Sequence, residues 1–152
     1  IALAADTLAI GLTQLASISE RRTDRLMTHH ESGLPAFLVR ESGLNSGLMM
    51  AHVTAAALTS EMKTLAHPAA VDSIPTSAGR EDHVSMSMWA AIKAWRTVEL
   101  ATEVVAIELL AACQGIDLLA PLTTSQPLQA AHAVVRAVVP AIDQDRPPSP
   151  DT

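Results

Sequence analysis

Between Ser73 and Met86 the chain reads Ser-Ile-Pro-Thr-Ser-Ala-Gly-Arg-Glu-Asp-His-Val-Ser-Met. Two acids, one base and a histidine crowd into this stretch, with apolar sequence on either side. A carboxylate that a loop aims into a cleft can act as a general base or hold a cationic ring. A helix is predicted to begin just beyond, near Asp82 or Val84. Its free N–H groups and positive dipole end favour a capping acid or hydroxyl, a role that Asp82 or Ser85 would fill. Glu81 lies ahead of the cap, and a loop flanked by Pro75 and Gly79 can aim it into a cleft. Glu81 is therefore the candidate catalytic and substrate-binding residue, and His83 a second candidate for substrate contact. The alternative is that the whole cluster only caps a helix.

Other reactive side chains read as structural. His29 and His30 are adjacent and point to different sides of a helix; no His-Glu-x-x-His and no cysteine-rich spacing occurs, so no metal is expected. His52, beside the stripe of its helix, is expected to be a hydrogen-bonded core histidine. Cys113 has no evident cationic neighbour and reads as a buried, inert thiol. Met49, Met50, Met86 and Met88 read as core filler. Glu20-Arg21-Arg22 reads as a helix-end ion network.

Four helices must position the loop. The first runs from about Ile1 to about His30, with Ile1, Ala5, Leu8, Leu12 and Leu15 at helical steps; Ile10 and Ile18 widen that face, which predicts burial on most sides. Gly33 and Pro35 stop it. The second follows Asn45 or Ser46 as cap, carries Leu48, Ala51, Ala55, Leu58, Met62 and Leu65 on one stripe, and ends at Pro68. The third is the longest. Val84, Met88, Ala91, Trp95, Val98, Thr102, Val105, Leu109, Ala112 and Ile116 alternate steps of four and three without a miss, which is heptad spacing. The fourth begins after Ser125, with Pro127 in its first turn, and runs to Pro140. The fold class is all-α: long antiparallel helices in a bundle, expected to assemble with other subunits. Residues 1–140 form the helical domain, and 141–152 a proline-rich tail expected to be extended or disordered.

The bulk numbers bound the partners. Of 152 residues, 49% are apolar and 17% charged, enough for a packed core. Aromatic content is 2%, so the core must be built from aliphatic residues and methionine. The net charge is −6 and no basic cluster exceeds Arg21-Arg22, which disfavours nucleic acid and anionic membrane. No apolar run is expected to reach membrane-span length, Glu108 interrupting the best candidate, and no signal peptide is read. The lone cysteine points to a reducing compartment. The chain opens in mid-pattern, which suggests a cut inside a longer protein.

Four stretches together resemble one family. Ser19–Val39 (SERRTDRLMTHHESGLPAFLV), Gly43–Glu61 (GLNSGLMMAHVTAAALTSE), Asp72–Met86 (DSIPTSAGREDHVSM) and Ala106–Gly115 (AIELLAACQG) resemble the C-terminal part of the aromatic amino acid lyases. The resemblance runs over essentially the whole chain. Glu81, where other branches usually carry an amide, looks like the branch that acts on histidine.

The resemblance implies elimination of ammonia from L-histidine to give urocanate, a step of histidine degradation, by a cytoplasmic homotetramer of long helices. It implies a methylidene-imidazolone cofactor, self-cyclised from Ala-Ser-Gly, a base that removes a β-proton, and a role for Glu81 in contacting the imidazole or assisting proton transfer. An imidazole offers a carboxylate two nitrogens; a phenyl ring offers none. The nearer alternatives are a lyase or aminomutase for another aromatic amino acid; the further one is a helical assembly module without catalysis. Several positions depart from the family's usual residues: Arg80 and His52 replace Gln, Met62 replaces Asn, and Ser87 replaces Gly. A guanidinium at Arg80 could engage Glu81 and lower its basicity. Neither Ala-Ser-Gly nor any tyrosine occurs in the 152 residues, so the chain alone is expected to be inactive.

Overall fold

The structure is a computed structural model that describes residues 1–146. Five α-helices occur among them: α1 (Ala2–Met27), α2 (His29–Ser32), α3 (Met49–Leu65), α4 (Ser87–Leu118) and α5 (Gln126–Arg136). Two isolated bridges are the only β pairing among the described residues, so the all-α expectation holds. The first helix breaks at Thr28 rather than running to His30. The single turn of α2 then closes on Gly33, which at φ 72° takes the left-handed conformation that glycine adopts freely. Pro68 ends the second helix region as expected, whereas α5 stops at Arg136, short of Pro140. Ser125 stands at the start of α5 but makes no side-chain cap bond.

The chain divides into two compact units. The first comprises Ile1–Ile18 and Ala57–Thr102, the second Ser19–Ala56 and the residues from Glu103 onward. In the first unit Ala2 packs with Ala90 and Asp6 meets Lys93, so α1 and α4 run the same way there. Thr13 Oγ1 bonds the Met62 carbonyl while Asp6 accepts from Ala70 N, so α3 runs opposite to α1.

The packing face of α1 is not the predicted one. Its buried stripe is Ala2, Asp6, Ala9, Thr13, Ala16, Glu20, Thr23 and Met27, again in alternating steps of four and three, with Ser19 buried beside it. Leu3, Leu8, Leu15 and Ile18 are exposed, so the helix is not buried on most sides. The same inversion occurs on α4. Ala90, Lys93, Thr97, Leu100, Val104, Ile107, Ala111 and Gln114 are buried, while Met88, Trp95, Val98, Val105 and Leu109 of the predicted stripe are exposed. Small residues let helix backbones approach closely, and α1 packs largely through them, while α4 adds Leu100, Val104 and Ile107. On α3 the prediction matches better: Leu48 just ahead of it, then Ala51, Ala55 and Met62, are buried. The methionines depart from expectation too, since Met50 and Met88 are exposed and the buried ones are Met27 and Met62.

One helix, α1, is long and apolar enough to cross a membrane by length and composition, contrary to the expectation that no run would be. Between residues 2 and 19 its single charge is Asp6. That carboxylate is buried against Lys93 within the first unit, and a core helix passes the same length and composition test.

The second unit is stitched by polar side chains. Gln114 Nε2 donates to the carbonyls of Leu38 (3.1 Å) and Ile142 (2.8 Å), and its Oε1 accepts from Ile142 N (3.0 Å). Residues 141–146 carry no helix, but Ile142 is buried and Asp145 accepts from the amides of Ser46 and Gly47. Those two amides hold the Asp145 carboxyl below its ordinary range. The expected proline-rich tail otherwise falls on 147–152, outside the described residues. Asn45, expected as a possible cap of α3, instead donates to the Arg40 carbonyl.

Candidate functional site: the loop before the long helix

Helix α4 starts at Ser87, later than the predicted Asp82 or Val84. Met86, at φ 49°, turns the chain into it. Asp82 therefore lies too far ahead to cap, and its side chain makes no bond among the described residues. Ser85 reaches only the Ser87 hydroxyl, at 3.3 Å. The capping reading of this cluster fails on geometry, and the whole of 72–86 becomes a true loop.

The loop is a nested pair of closures. At the outside, Val84 N donates to Ser73 Oγ at 3.0 Å. Inside it, Thr76 and Glu81 form an antiparallel bridge, Thr76 N to Glu81 O at 2.9 Å and Glu81 N to Thr76 O at 3.3 Å. The tip, Ser77–Gly79, is a 3-10 turn in which Ser77 (φ 55°), Ala78 (φ 55°) and Gly79 (φ 81°) are all left-handed. For glycine this costs little, but for serine and alanine it is strained by about 1 kcal/mol or more each. Such strain clusters at sites where a side chain must be aimed.

Here the aimed side chain is Glu81. Its Oε2 accepts a short hydrogen bond from the Thr76 hydroxyl and a longer one from Ser77 Oγ, at 3.4 Å. Its Oε1 has no partner among the described residues. The carboxylate is thus fixed at one oxygen and open at the other, which suits it to accept an N–H from a bound ring. Residues 71–83 are exposed throughout, His83 and Arg80 included. His83 makes no side-chain bond among the described residues. Arg80 does not engage Glu81, so the neighbouring guanidinium leaves the carboxylate free.

The remaining candidates fall elsewhere. His52 Nε2 meets Glu20 Oε1 at 2.9 Å, and Arg21 Nε donates to Glu20 Oε2 at 2.6 Å. His52 is hydrogen-bonded as expected but half-buried, and the expected ion network forms with Arg21 alone, since Arg22 pairs with Glu108 at 2.7 Å; all lie in the second unit. The Arg21 hydrogen bond, against the opposing effect of burial and with help from His52, keeps the Glu20 carboxyl below its usual range. Cys113 is buried and its thiol is pushed up by burial, as expected of an inert cysteine. No group of three or more metal-ligating side chains converges among the described residues. The sequence reading missed Ser73 and Thr76. Their only signal is a hydroxyl on the near side of a proline–glycine turn, a pattern common to many loops.

Long helices without a strand among the described residues, with a strained loop that presents a carboxylate, define a helical domain with a candidate ligand site at its surface. The family model of the aromatic amino acid lyases matches residues 1–137, and the chain belongs to that family. It is 59% identical over 150 residues to histidine ammonia-lyase of Bos taurus, covering 99% of this chain and 23% of that one. The crystal structure of histidine ammonia-lyase from Trypanosoma cruzi superposes with a TM-score of 0.96 at 55% identity, covering 99% of this chain and 30% of that one. The tyrosine aminomutase of Streptomyces globisporus superposes with a TM-score of 0.95 at 36% identity, covering 99% of this chain and 29% of that one. The chain thus spans under a third of the length of the relatives it matches.

Proposed function

We propose that this chain is the C-terminal part of an ammonia-lyase that eliminates ammonia from L-histidine to give urocanate, and that its loop 72–86 presents Glu81 to the substrate imidazole. The supporting observation is the Glu81 carboxylate, held at one oxygen by Thr76 and Ser77 and open at the other. Identity favours histidine over the aminomutase alternative, since the fold match is nearly the same for both while the sequence match is 55% against 36%. In the reaction the Cα–N bond breaks, a β-proton leaves, and ammonia departs. Glu81 would accept an imidazole N–H and orient the ring, or take up a proton there.

The methylidene-imidazolone that the family uses does not fit these residues. The chain has no Ala-Ser-Gly from which it could form, and Ser77-Ala78-Gly79 has the order reversed at its first two positions. The electrophile and the tyrosines belong to a portion of the enzyme outside these 152 residues, and the chain by itself is inactive. A cytoplasmic homotetramer is the assembly that suits the exposed apolar faces of α1 and α4.

The test is Glu81→Gln in the full-length enzyme. The two side chains are nearly isosteric, so the melting curve should hold. Turnover of histidine should fall by about a hundredfold or more. Unchanged kcat and KM for histidine would remove Glu81 from the mechanism.

A further inference from the structure

We propose that Asp6 and Lys93 form a buried clasp that holds the two ends of the Glu81 loop in register, which makes them positioning residues for that site. The proposal rests on the functional reading above only for what the loop does; the clasp itself is read from geometry within the first unit.

Both side chains are almost fully buried, Lys93 at 5% exposure and Asp6 at 3%. Burying an ion pair is costly unless its remaining donors and acceptors are satisfied. Here one oxygen of Asp6 and one donor of Lys93 are spent on backbone at the loop's entrance, while Asp6 Oδ1 has the ion pair alone and no hydrogen bond. Asp6 Oδ2 accepts from Ala70 N at 2.7 Å, and Lys93 Nζ donates a short hydrogen bond to the His67 carbonyl. The two charges face each other, Lys93 Nζ to Asp6 Oδ1, at 3.3 Å. His67 and Ala70 lie on the chain entering the loop, and Lys93 on the helix leaving it. One ion pair thus grips the chain on both sides of residues 72–86.

Apolar packing does little of this work. The cluster at the loop's base is Ala2, Ala69 and Ala90, with Ala5, Ala70 and Met86 around it. Methyl groups on near-flat helix surfaces can slide by a residue at small cost. A charge pair with two directed backbone bonds cannot, and fixing register is the best-attested use of buried polar groups. Burial opposes ionisation of Asp6, but the Ala70 and Ala69 amides and Lys93 outweigh it and keep its carboxyl below the ordinary range. Asp6 is therefore ionised at neutral pH.

The test is hydrogen exchange by mass spectrometry on the protein that carries this chain at its natural length, with Lys93→Met and Asp6→Asn. Asn keeps an acceptor for Ala70 N but loses the charge and turns the acceptor facing Lys93 into an NH2 donor. Exchange in peptides from 67–86 should rise about tenfold or more in Lys93→Met and by less in Asp6→Asn. Peptides from 126–136 should stay at the wild-type rate. A folded variant whose 67–86 peptides exchange as in the wild type overturns the clasp. So does an equal rise in 126–136, or failure of both variants to fold, because the pair would then hold the fold as a whole. Kinetics add a readout that general loosening would not give: kcat for histidine should drop more than KM rises. If Glu81→Gln proves silent while 67–86 loosens as expected, the clasp stands and the reading of the loop fails.

Discussion

Residues 35–48 and 72–86 both leave the helical pattern, and both use left-handed backbone at residues other than glycine: Phe37, Leu38 and Glu41 in the first, Ser77, Ala78 and Met86 in the second. They differ in what holds them. In the first, Leu38 and Val39 are buried, Leu48 N bonds the Phe37 carbonyl at 3.0 Å, Gln114 holds the Leu38 carbonyl, and Asp145 takes the amides of Ser46 and Gly47. In the second, nothing between 71 and 83 is buried, and the directed contacts are Ser73 to Val84 and Thr76 or Ser77 to Glu81. Strain in the first segment is offset by packing the chain itself provides. Strain in the second aims one carboxylate outward. The first is irregular structure held by the chain's own packing; the second is exposed, and the proposed contact of Glu81 with a substrate would give its strain a use.

The largest effect that would separate the two is removal of Gln114. Its amide serves Leu38 O, Ile142 O and Ile142 N at once, all in a buried setting. Gln114→Ala leaves those groups without partners and opens a cavity. Each unsatisfied buried group costs about 1–3 kcal/mol, so a total loss of about 3 kcal/mol or more is expected from denaturant unfolding. Exchange in 35–48 and 141–146 should rise while 72–86 holds. Equal loosening of both loops would erase the contrast.

Gly47→Ala should cost somewhat less. Gly47 sits at φ 54°, and an added Cβ would lie 2.4 Å from the Phe37 carbonyl oxygen and 2.8 Å from Val39 Cβ. Backbone cannot yield there without breaking the bond from Leu48 N to Phe37 O. The penalty for the left-handed alanine plus the clash should reach about 2 kcal/mol, read as a fall in Tm. A Tm within error of wild type would show that the first segment is looser than its contacts imply.

The sequence made much of this legible, and its failures share one cause. Heptad spacing along α4 is visible because Val, Trp and Leu recur without a miss. Which of two such stripes faces inward is not visible. The inner one contains Lys93, Thr97 and Gln114, and on α1 it contains Asp6, Thr13 and Glu20. Counting large apolar residues selects the outer stripe, because the inner one mixes small and polar residues with its few large apolar ones, Leu100, Val104 and Ile107 on α4. A chain that leaves many large apolar side chains exposed sends the wrong signal to any reading based on hydrophobicity alone. The loop around Glu81 was legible as a loop for the opposite reason: dense polar residues stand out between two apolar helices. Thr76 was not, since its role depends on a bridge between residues five apart that no periodicity records. The late start of α4 follows from Met86, whose left-handed φ has no sequence signal in a methionine.

The smallest expected effect probes the tip of the loop. Ala78 is exposed, sits at φ 55° and lies between Ser77 and Gly79, both also left-handed. Glycine adopts that conformation without the Cβ clash that costs an L-residue about 1–2 kcal/mol. It also gives the unfolded chain more freedom, which takes back about 0.5–1 kcal/mol. Ala78→Gly should therefore stabilise by roughly 0.5 kcal/mol, a rise in Tm of about 1–2 °C for a chain of this size. In the first segment the same logic runs the other way, since adding a methyl at Gly47 destabilises where removing one at Ala78 stabilises. If strain at the tip serves to aim Glu81, the gain in Tm should come with weaker turnover of histidine in the full-length enzyme, because a glycine tip no longer holds Thr76 and Ser77 against the carboxylate as firmly. A higher Tm with undiminished turnover would mean that the Thr76–Glu81 bridge alone aims the carboxylate. A lower Tm would mean that the Ala78 methyl packs against protein, and the second segment would then resemble the first.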